Sequence, residues 1–455
     1  ASSAHARGFE IPANGTEALG RGGAFTAKAD STLALEYNVA GLAGQRGTRL
    51  HFDNNIYLSS YGLTTPGGEL VRSTAGPFYA PWFGLSSDFG YFDRFTFAIG
   101  GFGPSSVGRR SYDAKGAGRY DIINTDLLVF YPTIAVGYRP HRIIDIGLSL
   151  GTAVGTYKLQ TAASLVIASP CNMPAKPNCD TLTDLSLSTF WNPVVTLGVL
   201  LHPLRVLDVG LQVRSAPNFG AKDVAATGTL TATIPQDSQI SPRPTLMNPQ
   251  DATFTANLPW VIRGGLRYVH RKERREVFDV ELDAVYELWS KAQGTGNQIS
   301  STSPSLGSAL EILSPHSYKD TISLRLGGAF TQPLGALALT VRAGVYYDSA
   351  ASPEEFQRLD FDTLAKVAGT VGLGLRVRGV TVNAAYAYVH SLSRTVQNGQ
   401  LLPLSATSDD GTWPGTPPAA VNNGTYDGRN HILSLGLSVL FEELIRGNAW
   451  SRRDR

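Results

Sequence analysis

The sequence predicts a closed, antiparallel β-barrel of about fourteen strands that crosses a membrane. Three observations carry that expectation. From about residue 48 onward, apolar residues recur with a period of two. The connections between these segments alternate strictly between short and long. The composition also fits poorly with two or three soluble domains: of 455 residues only 17% are charged, while 48 are glycine. A net charge of +2 supplies no basic field for nucleic acid. The longest apolar run, "NPVVTLGVLL" at 192–201, is far too short for a membrane helix.

The first 47 residues stand apart. "GGAFTAKADSTLALEYNVAGLAG" (22–44) is small, apolar and helix-prone, yet glycine keeps interrupting it. Strands are then expected near 48–60, 79–87, 94–103, 126–139, 143–160, 184–202, 206–215, 252–270, 276–290, 319–332, 335–348, 364–378, 380–394 and 430–441. In "HILSLGLSVLF" (431–441), Leu433, Leu435, Leu437, Val439 and Phe441 share one face, with Ser434, Gly436 and Ser438 on the other. Turns such as "RPHR", "QPLG" and "RGV" follow even-numbered strands. Long Gly/Ser/Asn/Pro-rich loops follow odd-numbered ones, the largest near 216–251, 291–318 and 395–429. Lipid offers no partner to an open sheet edge, so such strands must close on themselves. Tyr138, Trp191, Trp260, Tyr268, Trp289 and Tyr388 lie near strand ends, where interfacial girdles belong. A soluble β-helix or propeller would show a fixed repeat.

If the apolar face meets lipid, the polar face lines a lumen. Arg263 and Arg267 then point inward from 258–270, and Asp279, Glu281, Asp283 and Glu287 from 276–289. A register placing Arg267 opposite Asp279 and Arg263 opposite Asp283 would pair these charges. Arg325 and Arg342 point inward from the next hairpin. The array reads either as a brace for a large barrel or as a constriction that gates it. No nucleophile or metal cluster accompanies it, so catalysis is not expected. "GLSLG" (147–151) matches a nucleophile-elbow pattern but lies within an alternating strand. "GGFG" (100–103) lacks the Lys-Ser/Thr of a phosphate loop. Glycine and proline in "FAIGGFGP" (97–104) instead weaken a strand: they end it there, or they open the wall at Gly100, Gly101, Gly103 and Pro104. Cys171 and Cys179, in "SPCNMPAKPNCD", suggest a local disulfide in an oxidising compartment, with free thiols as the alternative.

"ALGRGGAFTAKADSTLALEYNVAGLA" (18–43) resembles the N-terminal signature of the FadL family, outer-membrane transporters of long-chain fatty acids and other hydrophobic compounds. Gly20, Gly22, Gly23, Ala24, Asp30, Asn38, Ala40, Gly41 and Leu42 meet the pattern, and Val39 stands where proline is usual. Segments at 116–140, 278–290, 318–330, 341–356 and 423–441 are similar to family segments, in family order. The resemblance implies a fourteen-stranded barrel (48–441) whose N-terminal hatch (1–47) plugs the lumen from the periplasmic side. Both termini would be periplasmic, in the outer membrane of a Gram-negative bacterium. It implies passive uptake of a hydrophobic ligand such as a long-chain fatty acid, with lateral release where glycines kink the third strand. Phe9 resembles an early family residue that lines the ligand site, and a carboxylate ligand would meet Arg263, Arg267, Arg325 or Arg342. No cofactor or metal is implied. The surroundings would be membrane lipid and lipopolysaccharide. Residues 442–455 form a polar periplasmic tail, either a loose end or a docking peptide. Such a peptide suits the alternative of a barrel that serves as shuttle or scaffold for a secretion or surface complex, with a periplasmic or surface protein partner. An aqueous porin is a further alternative, disfavoured by the plug.

Overall fold

The computed structural model describes residues 14–103, 108–163, 180–234, 245–246, 250–256, 258–273, 275–292, 297–302, 309–314, 316–403 and 419–446. Fourteen strands close the wall: β1 (Arg49–Thr64), β2 (Phe78–Ser87), β3 (Phe95–Phe102), β4 (Asn124–His141), β5 (Ile144–Thr152), β6 (Pro193–Leu204), β7 (Leu207–Arg214), β8 (Val261–Lys272), β9 (Arg275–Glu287), β10 (Thr321–Leu334), β11 (Leu337–Asp348), β12 (Lys366–Val377), β13 (Val380–Val396) and β14 (Gly424–Leu440). Each pairs antiparallel with the next. The ladder from Arg49↔Leu440 to Thr64↔Thr425 joins β14 back to β1 and leaves no edge.

Period-two patterning decides which way each side chain points. On β12, Val367, Val371, Leu373 and Leu375 are exposed on the outside, while Lys366, Ala368 and Thr370 are buried inside. An exposed apolar band of this kind is costly in water and is stable where lipid replaces water. The short turns gather at one end. At one of them Arg378 and Gly379 both take positive φ, 43° and 78°, as a tight I′-type hairpin requires.

At the other end the chain is more ordered than its sequence suggests. Val154–Ala163, Thr181–Thr189, Val224–Ile234, Gln250–Ala256, Asn297–Thr302 and Ala309–Ser314 form a second sheet that carries the wall upward from the outer part of β4. The expected loops at 216–251 and 291–318 are therefore partly strand, and β14 begins at Gly424 rather than 430. The physical reason lies in "VAATGTLTATI" (224–234). Its Thr and Val favour strand, but above the membrane no large apolar residues mark the outer face. Trp289 also departs from expectation. It is fully buried, with its indole N–H donating to Glu287 at 2.8 Å, and belongs to no girdle.

Residues 14–47 fill the lumen near the short-turn end. They form helix α1 (Thr16–Leu19), helix α2 (Ala34–Tyr37) and a 3-10 turn (Val39–Gly44). Gly15, Gly22 and Gly23 adopt positive φ (77°, 65° and 77°), which lets the chain reverse between such short pieces. The opposite mouth is covered by residues 349–365, which fold inward and bury Ala351, Gln357, Leu359 and Leu364. After β14 the helix Phe441–Arg446 lies on the rim. Glu442 accepts the Thr48 N–H at 2.8 and 2.9 Å, and Glu443 pairs with Arg376. The expected polar tail thus begins as a fastened helix; residues 447–455 lie outside the described residues.

Candidate functional site

The inward acidic row of β9 grips the hatch by its backbone. Asp283 Oδ2 accepts the N–H groups of Phe25 and Thr26, both at 2.9 Å. Glu281 Oε1 accepts those of Ala27 at 2.6 Å and Lys28 at 3.2 Å. Four amides that no helix or sheet satisfies therefore find charged acceptors. Arg21, fully buried in the hatch, completes the clasp: it reaches Asp279 at 2.6 Å and Glu281 at 3.2 Å and donates to the Ala24 carbonyl at 3.0 Å. Its role was not foreseen from sequence, because a lone Arg between glycines carries no periodic signal.

The four arginines singled out on the wall converge on the same region. Arg267 spans Asp208 (3.1 Å), Glu276 (2.6 Å) and Asp279 (2.9 Å). Arg263 lies over the Tyr37 ring at 5.4 Å. Arg325 donates to Ser323 at 3.2 Å and to the Gly23 carbonyl at 3.4 Å, and Arg342 to Asn383 at 3.0 Å and Glu17 at 3.3 Å. The register differs from the expected one by two residues. Arg267 faces Glu281 and reaches Asp279 diagonally, while Arg263 faces Val285, and Asp283 lies between Gly265 and Arg325. The turn pairing Lys272↔Arg275 supplies one residue of this shift and a bulge between His270 and Arg271 the other, and no feature of "RKER" announces either. On the neighbouring strands Arg139, Asp145, His202 and Asp208 extend the network at 2.5–3.2 Å.

Glycine explains how the plug comes so close. Gly137 faces Gly147, Gly147 faces Gly198, Gly210 faces Gly265 and Gly327 faces Gly344 across adjacent strands. A Cβ at Gly147 would stand 2.3 Å from the Val39 carbonyl carbon, at Gly210 2.4 Å from Thr26 O, and at Gly327 2.0 Å from Arg21 O. The inward glycines form a seat for hatch backbone. Their spacing was visible in the sequence as glycine on the polar face, but its purpose was not. Val39, in place of the usual proline, uses the amide that proline lacks: it donates to Gln212 Oε1 at 3.0 Å.

Toward β2–β4 the contacts become apolar. Phe25, Leu33, Leu35, Tyr37 and Leu42 of the hatch pack with Trp82, Phe102 and Tyr131 of the wall, and Val129 and Leu258 border them. Arg214, also unforeseen, lies over the Tyr131 ring at 5.1 Å. The wall is thin here. The β2–β3 ladder runs only from Phe83↔Gly101 to Ser87↔Phe97, and β3 ends at Phe102. A Cβ at Gly100 would meet Leu35 at 2.7 Å on the inside. One at Gly101 would meet Phe130 at 2.2 Å on the outside, where Phe83 and Phe130 stack at 6.0 Å. Gly103 approaches the Val129 carbonyl, 2.8 Å from its would-be Cβ. Phe9, Pro104, Cys171 and Cys179 lie outside the described residues.

On the far side, the inward loop is held by charge. Arg358 reaches Asp121 at 2.9 Å, and His316 reaches Asp360 at 2.7 Å. Burial lifts the Asp121 carboxyl above its ordinary value despite Arg358. For Asp360 burial acts the same way, but His316 and Arg358 outweigh it and hold the carboxyl below its ordinary value.

A closed barrel with an apolar outer band, a clasped internal plug and a buried apolar cluster beside it defines a plugged membrane-transport barrel. Solved structures share this fold. A Pseudomonas aeruginosa FadL homologue has a TM-score of 0.73 at 16% identity, covering 96% of this chain and 100% of that one. The Ralstonia pickettii toluene transporter TbuX gives 0.66 at 15% (94% and 99%), and the Pseudomonas putida toluene transporter TodX 0.67 at 15% (94% and 98%). The search of curated proteins gave no match. The model of the outer membrane protein transport protein family (OMPP1/FadL/TodX) matches residues 1–441, and the chain belongs to that family. It is a multi-pass outer-membrane transporter of a Gram-negative bacterium for hydrophobic compounds, not an enzyme.

Proposed function

We propose that the protein takes up small hydrophobic molecules, long-chain fatty acids or compounds like them, by passive diffusion and releases them sideways into the membrane. The observation that carries this reading is the apolar cluster of hatch and wall lying against the shortest ladder of the barrel, β2–β3. A hydrophobic ligand bound among Phe25, Leu35, Trp82 and Phe102 is one glycine layer from lipid, with Gly100 and Gly101 as that layer and the Phe83–Phe130 pair as its outer cover. Leaving this way spares the ligand the cost of crossing water, about 0.8 kcal/mol for each methylene. Phe9 lines the inner end of the path in this proposal. Arg263, Arg267, Arg325 and Arg342 mark its polar side; of these Arg263, over Tyr37, borders the cluster most directly. The relatives named as toluene transporters make a monoaromatic hydrocarbon the natural second ligand to try.

The test separates binding from release. A fluorescent long-chain fatty acid is titrated onto the folded barrel in detergent, and uptake is followed in cells that depend on this barrel. Gly101→Leu fills the glycine layer. Unchanged saturable binding with uptake reduced at least fivefold supports lateral release. Uptake equal to wild type refutes the route, and absence of saturable binding by fatty acid and toluene alike refutes the ligand site.

A further inference from the structure

We propose that the lipid-facing surface of β10–β14 holds one phosphorylated, acylated glycolipid of the outer leaflet, a lipopolysaccharide molecule, at a built site. The position rests on a groove and a charge pair at one end of it. The groove, about 570 Å³, is bordered by Leu324, Leu326, Val345, Val367, Tyr388 and His390. Gly369 forms its floor: it faces outward, and a Cβ built there meets nothing within 4 Å. A smooth strand surface would carry a side chain at that point, so the missing one leaves a slot for a single acyl chain.

Above the slot the chemistry changes. His390 and Arg429 are direct cross-strand partners on β13 and β14, and both are exposed on the outer face. Asp427, next on the same face of β14, is already held by Arg72 at 2.7 and 2.8 Å. Arg429 therefore has no carboxylate partner among the described residues. Immediately below, Tyr386 bonds His431 at 2.8 Å and Tyr388 packs on the same imidazole at 5.2 Å, an aromatic row of the kind that marks the edge of the hydrocarbon layer. The height agrees. From the turn at Gly379 to His390 is roughly eleven residues, which at ~3.3 Å each and a tilt of ~40° rises about 27 Å, the full apolar band. An unpartnered guanidinium with an imidazole at headgroup level, over an acyl-sized slot, is complementary to a lipid phosphate. A second copy of the chain would bring the same cations together and is not favoured by the charge.

The experiment uses the full-length barrel purified in mild detergent from outer membranes that contain lipopolysaccharide. Hydroxylated acyl chains and phosphate are counted per barrel, and rebinding is measured with vesicles containing lipid A. Wild type is expected to retain about one glycolipid. The double variant Arg429→Ala/His390→Ala and the slot-filling Gly369→Leu should each lower retention at least fivefold. Leu211→Ala, on the lipid face of β7, should not. Heat-modifiable migration confirms that every variant is folded. Retention unchanged in either test variant overturns the site, and rebinding of phosphatidylglycerol as tight as that of lipid A overturns the choice of glycolipid.

Discussion

Asp283→Ala isolates the clasp between wall and hatch. Asp283 Oδ2 is the acceptor for two buried amides, Phe25 and Thr26. Removing the carboxylate leaves both without it, at about 1–3 kcal/mol each, so the hatch loses ~2–6 kcal/mol of local stability. At about 1.4 kcal/mol per factor of ten, amide exchange at Phe25 and Thr26 should accelerate roughly thirty- to twenty-thousand-fold. The barrel, held by fourteen closed ladders, should keep its heat-modifiable migration. Asp283→Asn retains an oxygen acceptor and loses only the charge assistance, so its cost should be about 1–2 kcal/mol. Hydrogen exchange read by mass spectrometry on the peptide spanning 21–30 measures both. Exchange in Asp283→Ala within threefold of wild type would show that the clasp does not hold the hatch. Equal damage from Asn and Ala would show that charge, rather than the two amide bonds, is what matters.

Gly344→Ala places a Cβ 2.2 Å from the Arg21 carbonyl carbon. The hatch backbone must shift, so step-like conductance should appear in planar bilayers where wild type is quiet. Val39→Pro gives up the bond to Gln212, about 1 kcal/mol, but pre-sets a backbone that Asn38 already precedes in extended form (ψ 102°), a gain of about 0.4–1 kcal/mol. Hatch exchange rates should change by less than about fivefold. Asp360, depressed by His316 and Arg358, stabilises the inward loop above the ordinary carboxylate range and loses that contribution as pH falls below about 4 through the depressed value. Protease cleavage within 349–365 should rise below about pH 4, and Asp360→Asn should reproduce the rise at pH 7. Asp121, shifted upward, works in the opposite sense, so Asp121→Asn should not.

The wall was legible because lipid imposes a strict rule. Membrane-crossing strands alternate, and "DTISLRLGGAF" and "EVFDVELDAVYELW" do so over most of their length, with Val285 an inward apolar exception. That alternation marked the facing of Arg325 and the β9 carboxylates, as "LPWVIRGGLRYVH" marked that of Arg263 and Arg267. Above the membrane that rule lapses, and Val224–Ile234 reads as loop although it is strand. Register escaped because the turn pairing Lys272 with Arg275 and the bulge at His270/Arg271 depend on backbone geometry rather than residue type. The site was half legible. Its charges were named, but they were expected to face one another across strands. The structure turns Glu281 and Asp283 toward hatch amides instead, and a backbone amide leaves no trace in a sequence. Arg21 had no periodic context to mark it, whereas Arg214 ends the polar face of the alternating "LDVGLQVR" and was legible there.

The contacts of the hatch are unevenly distributed around the barrel, and the unevenness bears on how it moves. Against β9–β12 they are ionic or charge-assisted: Arg21 with Asp279 and Glu281, Arg325 with the Gly23 carbonyl, Arg342 with Glu17. Against β2–β6 the buried contacts are neutral; only the exposed Arg46, 3.8 Å from Asp88 and 3.7 Å from Asp93 in the turn after β2, brings charge to that side. Gln45 accepts Ser86 and Thr96 hydroxyls at 3.1 and 3.0 Å, Asn38 donates to Val199 O at 3.1 Å, and the remainder is apolar packing. Charge-assisted bonds are about twice as strong as neutral ones and fix direction, whereas apolar packing does not. A plug held in this way hinges on its charged side and yields on its neutral side, which is the side facing β3. A bound hydrophobic ligand should therefore alter amide exchange across 33–43 while leaving 21–28 within about twofold. Equal change in both segments would mean that the hatch moves as one body, and the asymmetry of its contacts would then have no part in transport.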